Sequence, residues 1–303
     1  MKQPTVICDP NQCRDILESP QYRVVTCDPA HQALGDRLGQ SLPAIGFSLS
    51  HMSVCLEGDA HRTHRRLSAH MLARDKVAAM KQLPVCGALI SAPFGKTGRC
   101  ELMQSAVGPA VDAFLAPLIG VPVGMFHAAA LPRLLNNPVP NPEQQALEAD
   151  LSELLARLRR AHPGDGDDEI GARLSFATLG RNALIASVGA SLAKLFETHP
   201  GAALSRIDWP DQLPETGVPF ADRLCPAPED GTVRLDLRSD PDGMLFFGKG
   251  SHRCLGRAFA QSLWFAVTQA LRPLGTRVTI HDLRWHEKEL FHSPEQLVVD
   301  LIA

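Results

Sequence analysis

The sequence lacks three features that would assign it to common functional classes. Its 303 residues contain no uninterrupted apolar run of about 18 residues, the length that a transmembrane helix needs. It begins MKQPTVICDP, without the basic-then-apolar pattern of a signal peptide. Lys and Arg number 30 against 33 Asp and Glu, a formal net charge of −3, so nucleic-acid binding is not expected. These absences predict a cytoplasmic protein with neither membrane nor nucleic-acid partners.

The sequence also has no CxxC pair, although it contains eight scattered cysteines. In a reducing compartment most of these should be free thiols rather than disulfides. The chain is long enough to bury a core without a disulfide or a metal ion. A hydrophobic fraction of 45% and a charged fraction of 21% are ordinary for a globular protein. With no internal repeat and no separating linker, residues 1–303 are expected to form a single domain.

Hydrophobic periodicity predicts a fold that is mainly α with small β elements. Residues 200–243 are the least regular part and contain seven prolines. Helices are predicted over 11–19, 56–80, 100–118, 143–161, 169–198 and about 256–271, and strands over 4–8, 22–27, 233–237, 276–283 and 296–302.

The strongest local feature is the string FGKGSHRCLG at residues 247–256. Gly248 and Gly250 permit a tight turn with positive φ angles. The turn should place Cys254 just before a helix, where backbone N–H groups and the helix dipole favour a thiolate. Phe247 is expected to shield the sulfur from water. A thiolate in such a setting is suited to metal ligation. The alternative interpretation is a structural cysteine in a glycine turn, which would leave the phenylalanine and the glycines unexplained.

This string resembles the cysteine-ligand loop of the cytochrome P450 family. The family pattern F-x-x-G-x-x-x-C-x-G is met in full, with a basic residue and a small residue at two further positions. The resemblance implies haem b (iron protoporphyrin IX) as cofactor and Cys254 as the axial ligand of its iron. The cofactor-binding residues that it implies in this region are Phe247, Gly248, Gly250, His252, Cys254, Gly256 and Ala260.

A second segment, LEGDAHRTHRRLSAHML at residues 56–72, resembles the family's helix along the haem edge. His61 and Arg65 match the family's haem-propionate ligands, and their i, i+4 spacing places both on one helix face. The alternative is a solvated basic face. Further similarities at the N-terminus, at residues 143–162 and at 198–200 extend the resemblance over most of the chain.

The central helix departs from the family pattern A-G-x-[DE]-T. Counted back from the His-Pro dipeptide that follows the helix, Gly180 is kept, Asn182 replaces the acid and Ala183 replaces the alcohol. Neither replacement can relay a proton as a carboxylate and a hydroxyl do. A register slip of one turn would instead bring Thr178 or Ser187 to this place.

Arg181 is unusual on an otherwise apolar helix and has two interpretations. It is either a cation near the distal pocket, where it would pair with a substrate carboxylate or activate peroxide, or a salt bridge at the helix edge. The resemblance assigns the rest of that pocket to residues 47–54, residues 126–135, Ala177, Gly180 and Ala183. These segments are largely apolar, which favours an apolar or amphipathic substrate.

A second departure is the lack of the family's E-x-x-R helix. Between residues 200 and 247 the only glutamates are Glu215 and Glu229, each in a proline-rich context. In the family this helix is locked to a downstream arginine and is followed by a sheet. Both the helix and the sheet are therefore expected to be missing or reduced. That sheet normally supplies another propionate partner, and the sequence leaves Arg206, Arg223 and Arg234 open as replacements.

Together these features predict a haem-thiolate enzyme acting on a small organic molecule, with oxidative tailoring in specialised metabolism as the leading reaction. A separate ferredoxin or flavoprotein would donate electrons near Lys249, Arg253 and Arg257. The altered central helix keeps two alternatives open. One is peroxide-driven oxidation, rearrangement or dehydration, and the other is a degenerate haem-binding protein without turnover. The candidate catalytic residues are Gly180, Arg181, Asn182 and Ala183.

Overall fold

The computed structural model describes residues 4–24, 42–123, 141–240, 242–286 and 290–302. The described chain is mostly helical with two small sheets, which confirms the predicted fold class. The α-helices are α1 (Pro10–Glu18), α2 (Pro43–His51), α3 (Gly58–Met80), α4 (Leu83–Ser91), α5 (Gly108–Ile119), α6 (Asn141–Ala161), α7 (Asp167–Ser175), α8 (Arg181–Thr198) and α9 (Arg257–Leu271). The strands are β1 (Thr5–Ile7), β2 (Arg23–Val24), β3 (Gly98–Glu101), β4 (Phe220–Leu224), β5 (Thr232–Asp236), β6 (Arg277–Trp285) and β7 (Pro294–Ile302).

Side-chain caps explain where two of the helices begin. At α1 the Asp9 carboxylate accepts the N–H of Gln12 at 2.8 Å, and Pro10 occupies the first helical turn. At α2 the cap comes from another helix. The Glu148 carboxylate of α6 accepts the backbone N–H groups of Ala44 and Ile45 at 2.8 and 2.9 Å. This charge at the positive end of the helix dipole fixes α2 against α6.

The two sheets differ in topology. The first has the order β1-β5-β4-β2, with β1 parallel to β5 and the other pairs antiparallel. The second has the order β3-β7-β6 and is antiparallel throughout. In the first sheet Asp222 lies opposite Arg234, and Arg223 lies opposite Val233. Because successive side chains of a strand point to opposite faces, Asp222 and Arg223 face different sides of this sheet.

The chain packs as two compact units, each assembled from three separate segments. Unit 1 comprises Met1–Arg74, Leu118–Leu179 and Phe220–Leu255, and it holds the four-stranded sheet. Unit 2 comprises Asp75–Pro117, Gly180–Pro219 and Gly256–Ala303, and it holds the three-stranded sheet. The expectation that residues 1–303 form one haem domain stays a prediction. One core cluster of unit 1 contains Cys13, Leu17, Val233, Leu235, Leu237 and Leu245, and fully buried side chains of unit 2 include Phe94, Phe114, Phe196 and Trp264.

The predicted helix over 100–118 is wrong at its start. Residues 98–101 form β3, and a π-helical turn, Met103–Val107, then leads into α5. Glu101 explains the change, because its carboxylate accepts the N–H groups of Met103 and Gln104 at 3.0 and 2.7 Å. The long helix predicted over 169–198 is likewise divided by a π-helical turn. Of the predicted strand over 22–27, only residues 23–24 are paired, and residues 25–27 lie outside the described residues.

Within the part of the chain that the structure describes, no single helix combines the length and apolar composition that a membrane crossing requires. One bent pair, Gly58–Met80 with Leu83–Gly95, meets those two criteria when both members are taken together.

Candidate functional site

The cysteine loop has the turn geometry that its glycines predict. Gly248 and Gly250 have φ angles of 64° and 66°. The Cys254 N–H donates to the Phe247 carbonyl at 2.8 Å, which closes the loop. A Cβ atom at Gly250 would lie 2.3 Å from the carbonyl oxygen of Leu17, so only glycine fits where the loop passes α1.

The position of Cys254 before a helix is also confirmed, because α9 begins three residues later with Gly256 at its N-cap. Ala260 is buried in that helix and donates its N–H to the Gly256 carbonyl at 2.9 Å. Phe247 is half-buried and Cys254 is exposed. The shielding of the sulfur by Phe247 stays a prediction.

His61 and His252 stack face to face inside unit 1. Their ring centroids lie 3.9 Å apart with an interplanar angle of 24°. The Nε2 atom of each ring is buried, and neither has a hydrogen-bond partner among the described residues. Such buried, unsatisfied polar atoms are rare in proteins and often lie where a ligand binds or a functional group acts.

Both imidazoles are held in the neutral form. Burial, followed by the adjacent His61 ring and the positive charges of Arg223 and Arg65, lowers the pKa of His252 to about 3. Burial and then the charge of Arg65 also lower the pKa of His61. The Glu57 carboxylate lies 3.8 Å from His252 Nε2, which is too long for a hydrogen bond. Because the ring is neutral, this contact is not an ion pair.

Arg65 connects α3 to the cysteine loop. Its guanidinium donates a hydrogen bond to the carbonyl of Arg253, the residue before the predicted ligand. Burial lowers the pKa of Arg65, while the charge of Cys254 raises it. An arginine stays protonated in proteins, so a positive charge lies beside the cysteine. His61 and Arg65 therefore both face the loop that contains Cys254, as their helical spacing predicted.

The three arginines that the sequence left open as replacement propionate partners have different surroundings in the structure. Arg234 makes two 2.8 Å hydrogen bonds to Asp222, and Arg206 is exposed in unit 2. Arg223 is buried on the other face of the sheet. Burial lowers the pKa of Arg223, and the charge of Glu57 raises it. Because Arg223 in turn lowers the pKa of His252, it belongs to the same cluster.

These residues fit a haem cofactor. Two neutral imidazoles with unpartnered ring nitrogens, the buried guanidinium of Arg223 and the half-buried guanidinium of Arg65 suit carboxylates such as the haem propionates. The cluster lies in the same unit as Cys254 and is joined to its loop by Arg65. Sequence reasoning missed Glu57, which places a negative charge among these cations. Its spacing of four residues before His61 was the available signal.

The candidate residues of the central helix lie at a break in its geometry. A π-helical turn, Phe176–Gly180, immediately precedes α8, and such turns frequently occur at functional sites. Asn182 and Ala183 are half-buried in the first turn of α8. Gly180 and Arg181 belong with them to unit 2, whereas Ala177 belongs to unit 1.

Arg181 forms the salt bridge that one of its two interpretations predicts. Its guanidinium contacts both carboxylate oxygens of Asp112 on α5, at 2.5 and 3.0 Å. The hydroxyls of Thr178 and Ser187, which a register slip of one turn would bring to this place, are also hydrogen-bonded. Thr178 donates to the Leu174 carbonyl at 2.7 Å, and Ser187 accepts the Gly217 N–H at 3.0 Å.

The absence of the E-x-x-R helix is confirmed within the described chain. Between α8 and α9 the described residues contain β4, β5 and single 3₁₀ turns, but no α-helix. Of the predicted pocket segments, residues 126–135 lie outside the described residues. Residues 47–54 form the end of α2 and a 3₁₀ turn, with Leu49 buried and Val54 exposed.

Comparison with known proteins gives matches only at the level of structure. No protein-family model matches the chain, and no curated protein matches its sequence. CalO2 is similar with a TM-score of 0.76 at 16% identity, covering 98% of this chain and 90% of CalO2. Epothilone B-bound cytochrome P450epoK is similar with a TM-score of 0.73 at 14% identity, and the match covers 98% of this chain and 91% of P450epoK. CYP154A1 from Streptomyces coelicolor A3(2) is similar with a TM-score of 0.72 at 19% identity, and the match covers 98% of this chain and 91% of CYP154A1. The chain has the cytochrome P450 fold.

Proposed function

We propose that this protein binds haem b through Cys254 and acts as a haem-thiolate oxidoreductase on a small, largely apolar organic molecule. The observation that carries this proposal is the cluster beside the cysteine loop. Two buried imidazoles without hydrogen-bond partners adjoin Arg65 and Arg223 in the unit that contains Cys254. A solvated basic face would leave these side chains in water, whereas His61 is only 4% exposed.

Bound haem would supply redox chemistry at its iron, and thiolate ligation favours cleavage of an O–O bond. The chain's own residues have separate tasks. His61 and His252 would donate hydrogen bonds from Nε2 to the propionates, and Arg65 and Arg223 would offset the propionate charge. Arg65 also bonds to the Arg253 carbonyl, so it orients the loop that carries the ligand. Gly248, Gly250 and Gly256 would keep the backbone close to the cofactor.

The substrate is proposed to be neutral rather than anionic. Because both oxygens of Asp112 already bind Arg181, this guanidinium is not available to pair with a substrate carboxylate. Two similar structures, P450epoK and RauA, hold epothilone B and a biosynthetic intermediate of aurachin RE, which supports a small organic substrate. Oxidative tailoring in specialised metabolism remains the leading reaction, in the cytoplasm.

A second candidate function is haem chemistry that does not activate dioxygen: peroxide-driven oxidation, rearrangement or dehydration. Asn182 and Ala183 replace the acid and the alcohol, and the hydroxyls of Thr178 and Ser187 are already bonded. The replacements at positions 182 and 183 therefore offer neither a carboxylate nor a hydroxyl for a proton relay. One similar structure, CxnD, is named for C–S bond formation in chuangxinmycin biosynthesis, so this fold is used for unusual reactions.

A dioxygen-dependent reaction would need an electron donor, which we propose to be a ferredoxin or a flavoprotein. Lys249, Arg253 and Arg257 flank the cysteine in sequence, and Arg253 is exposed. Their positive charge would attract an acidic partner and raise its rate of association at low salt. The peroxide-driven alternative needs no such partner.

The test is the reduced carbon monoxide complex of protein purified with haem. We expect one haem per chain and a red-shifted Soret band, which Cys254→Ala should remove. Cys8→Ser, a change at another exposed cysteine, is the matched control and should leave the band unchanged. An unshifted band that is insensitive to Cys254→Ala would contradict the proposal.

The same preparation separates the alternatives. Turnover that depends on a reductase and dioxygen supports the monooxygenase, and turnover with peroxide alone supports the second candidate. Turnover that needs neither reductase nor peroxide supports rearrangement or dehydration, and haem binding without turnover under any of these conditions supports the degenerate haem-binding protein. Ala183→Thr adds a probe, because it should raise reductase-driven activity if the proton relay is what the chain lacks.

A further inference from the structure

A carboxylate lies among the cations beside the cysteine loop. Glu57 is half-buried just before α3, and its Oε1 atom lies 3.8 Å from His252 Nε2. Burial lowers the pKa of His61 and of Arg223, and the negative charge of Glu57 raises both. These residues and Cys254 all belong to unit 1. The proposed haem site therefore includes an acidic group whose charge has the same sign as that of a propionate.

Two hydrogen bonds to the backbone hold Glu57 in this place. Its Oε1 atom accepts the Val24 N–H at 2.6 Å, and its carbonyl accepts the His61 N–H at 3.3 Å. Val24 lies on β2, at the edge of the four-stranded sheet, so a side chain rather than a strand accepts this N–H. Val24 is also the register partner of Arg223 on β4. Glu57 thus connects α3, which carries His61, to the strand pair that carries Arg223.

A second carboxylate near Arg223 is neutralised by another arginine. After burial and Glu57, the charge of Asp222 is the next to act on the pKa of Arg223. Both carboxylate oxygens of Asp222 bind Arg234 at 2.8 Å, on the opposite face of the sheet. Arg223 itself donates to the Asp222 backbone carbonyl at 2.9 Å. Of these two carboxylates, Glu57 is therefore the one whose charge is directed at the cluster.

The charges of the cluster indicate how Glu57 acts. Arg65 and Arg223 are positive, and the two imidazoles are neutral, so Glu57 offsets one of two positive charges. In the haem-free protein this carboxylate stabilises the guanidinium groups, because an unpaired buried charge is costly. When haem is bound, the same carboxylate repels the propionates. One side chain should therefore stabilise the haem-free protein and oppose haem binding.

We propose that Glu57 is a positioning residue that holds this cluster together before haem binds, and that its charge then weakens haem binding and lowers the reduction potential of the iron. A nearby negative charge disfavours the uptake of an electron. The inference rests on the proposed function, because it needs haem propionates at His61, His252, Arg65 and Arg223. A merely structural role predicts the opposite effect on haem binding, since the loss of a structural contact would weaken it.

The experiment compares Glu57→Gln and Glu57→Asp in the full chain. Glutamine keeps an oxygen that can accept the Val24 N–H but removes the charge, and aspartate keeps the charge on a shorter side chain. The measurements are haem transfer to excess apomyoglobin, the midpoint potential in a dye-mediated dithionite titration, and urea unfolding of haem-free protein. Glu57→Gln should lose haem several-fold more slowly, shift the midpoint potential upward and unfold at lower urea. Glu57→Asp should keep a potential near that of the wild type.

Glu229→Gln is the matched control. It removes one negative charge from an exposed glutamate of the same unit. This glutamate is not among the charges that shift the pKa of His61, His252 or Arg223. Glu229→Gln should leave the haem-transfer rate, the midpoint potential and the urea midpoint unchanged.

The outcomes separate this inference from the proposed function. If wild-type protein shows the red-shifted band but Glu57→Gln loses haem faster or keeps the wild-type potential, the inference is overturned and the proposed function stands. Wild-type protein without haem, or with an unshifted band that is insensitive to Cys254→Ala, contradicts the proposed function instead. Glu57→Gln keeps an acceptor for the Val24 N–H and should fold. If its haem-free form does not, the potential of the variant purified with haem decides the question.

Discussion

The contact between Arg181 and Asp112 shows that the role of a single residue can depend on a partner that is distant in sequence. The arginine lies on an apolar helix, and its partner is 69 residues away on α5. Both side chains are partly buried, at 18% and 30% exposure. A charge in such a position needs a partner, because an unpaired buried charge is costly.

Replacing Asp112 tests this assignment. Asp112→Asn should lower the free energy of unfolding by about 1 to 3 kcal/mol, because it leaves Arg181 partly buried without its counter-charge. Arg181→Met in the same background should recover part of the loss. Chemical denaturation of the four members of this double-mutant cycle gives the coupling energy. A coupling energy near zero would return Arg181 to its other interpretation, a cation for substrate or peroxide.

Single residues were predictable where their determinants are local. The turn at Gly248 and Gly250 depends on the nearby glycines, and the shared face of His61 and Arg65 depends only on helical spacing. The partner of Arg181 and the choice of Arg223 were not predictable, because both depend on pairings that are distant in sequence.

At the scale of whole elements, the contact between α2 and α7 depends on one glycine. A Cβ atom at Gly171 would lie 2.4 Å from the Cβ of His51 and 2.9 Å from its carbonyl oxygen. The end of α2 therefore lies directly on α7. Its other end is capped by Glu148, so α2 is held at both ends by the helices that it packs against.

Gly171→Ala should destabilise the protein by about 1 to 3 kcal/mol, the usual cost of overpacking, because the added methyl group meets backbone atoms. Gly46→Ala is the matched control, since that glycine lies in α2 and a Cβ there meets nothing within 4 Å. The control should be neutral or stabilising by up to about 1 kcal/mol through helix propensity. Thermal and denaturant unfolding measure both. Equal stability of the two variants would show that α2 and α7 do not approach each other this closely.

Elements with a clear periodicity were predicted nearly to the residue, and two helices without one were missed. The helix predicted over 143–161 corresponds to α6, whose leucines recur at helical spacing. The nine-residue α1 was also predicted, over 11–19. α2 and α4 are equally short but mostly apolar, so no alternation of polar and apolar residues marks them as helices. β3 was assigned to a helix, because sequence alone does not show that Glu101 ends one element and caps the next.

At the scale of the whole molecule, the buried histidine pair ties stability to pH. The pKa of His61 is lowered by burial and then by the charge of Arg65. The unfolded chain has an ordinary histidine there, with a pKa of about 6.5. Below that pH the unfolded state takes up a proton that the folded state does not. Stability that is present above about pH 6.5 is therefore lost as the pH falls.

Haem-free protein should accordingly lose up to about 1.4 kcal/mol of unfolding free energy per pH unit from His61 alone as the solution is acidified below pH 6.5. His61→Gln should flatten the slope, because glutamine does not titrate. Urea unfolding over a series of buffers measures it. Arg66→Gln, at an exposed position on the same helix whose charge is not among those that shift the pKa of His61, is the control and should leave the slope unchanged. Identical slopes for wild type and His61→Gln would contradict this account.

The interleaving of the two units has a consequence for biosynthesis. Unit 1 lacks its third segment until residue 255 is made, and unit 2 lacks its own until the segment beginning at Gly256 is added. Neither unit can therefore complete its fold during translation before its third segment has been synthesised, unlike a domain that is formed by one continuous segment. Trp264, which unit 2 buries completely, is among the later residues to leave the exit tunnel. Buried residues of unit 2 made early, such as Phe94 and Phe114, therefore lack part of the core of their unit until the segment beginning at Gly256 is made.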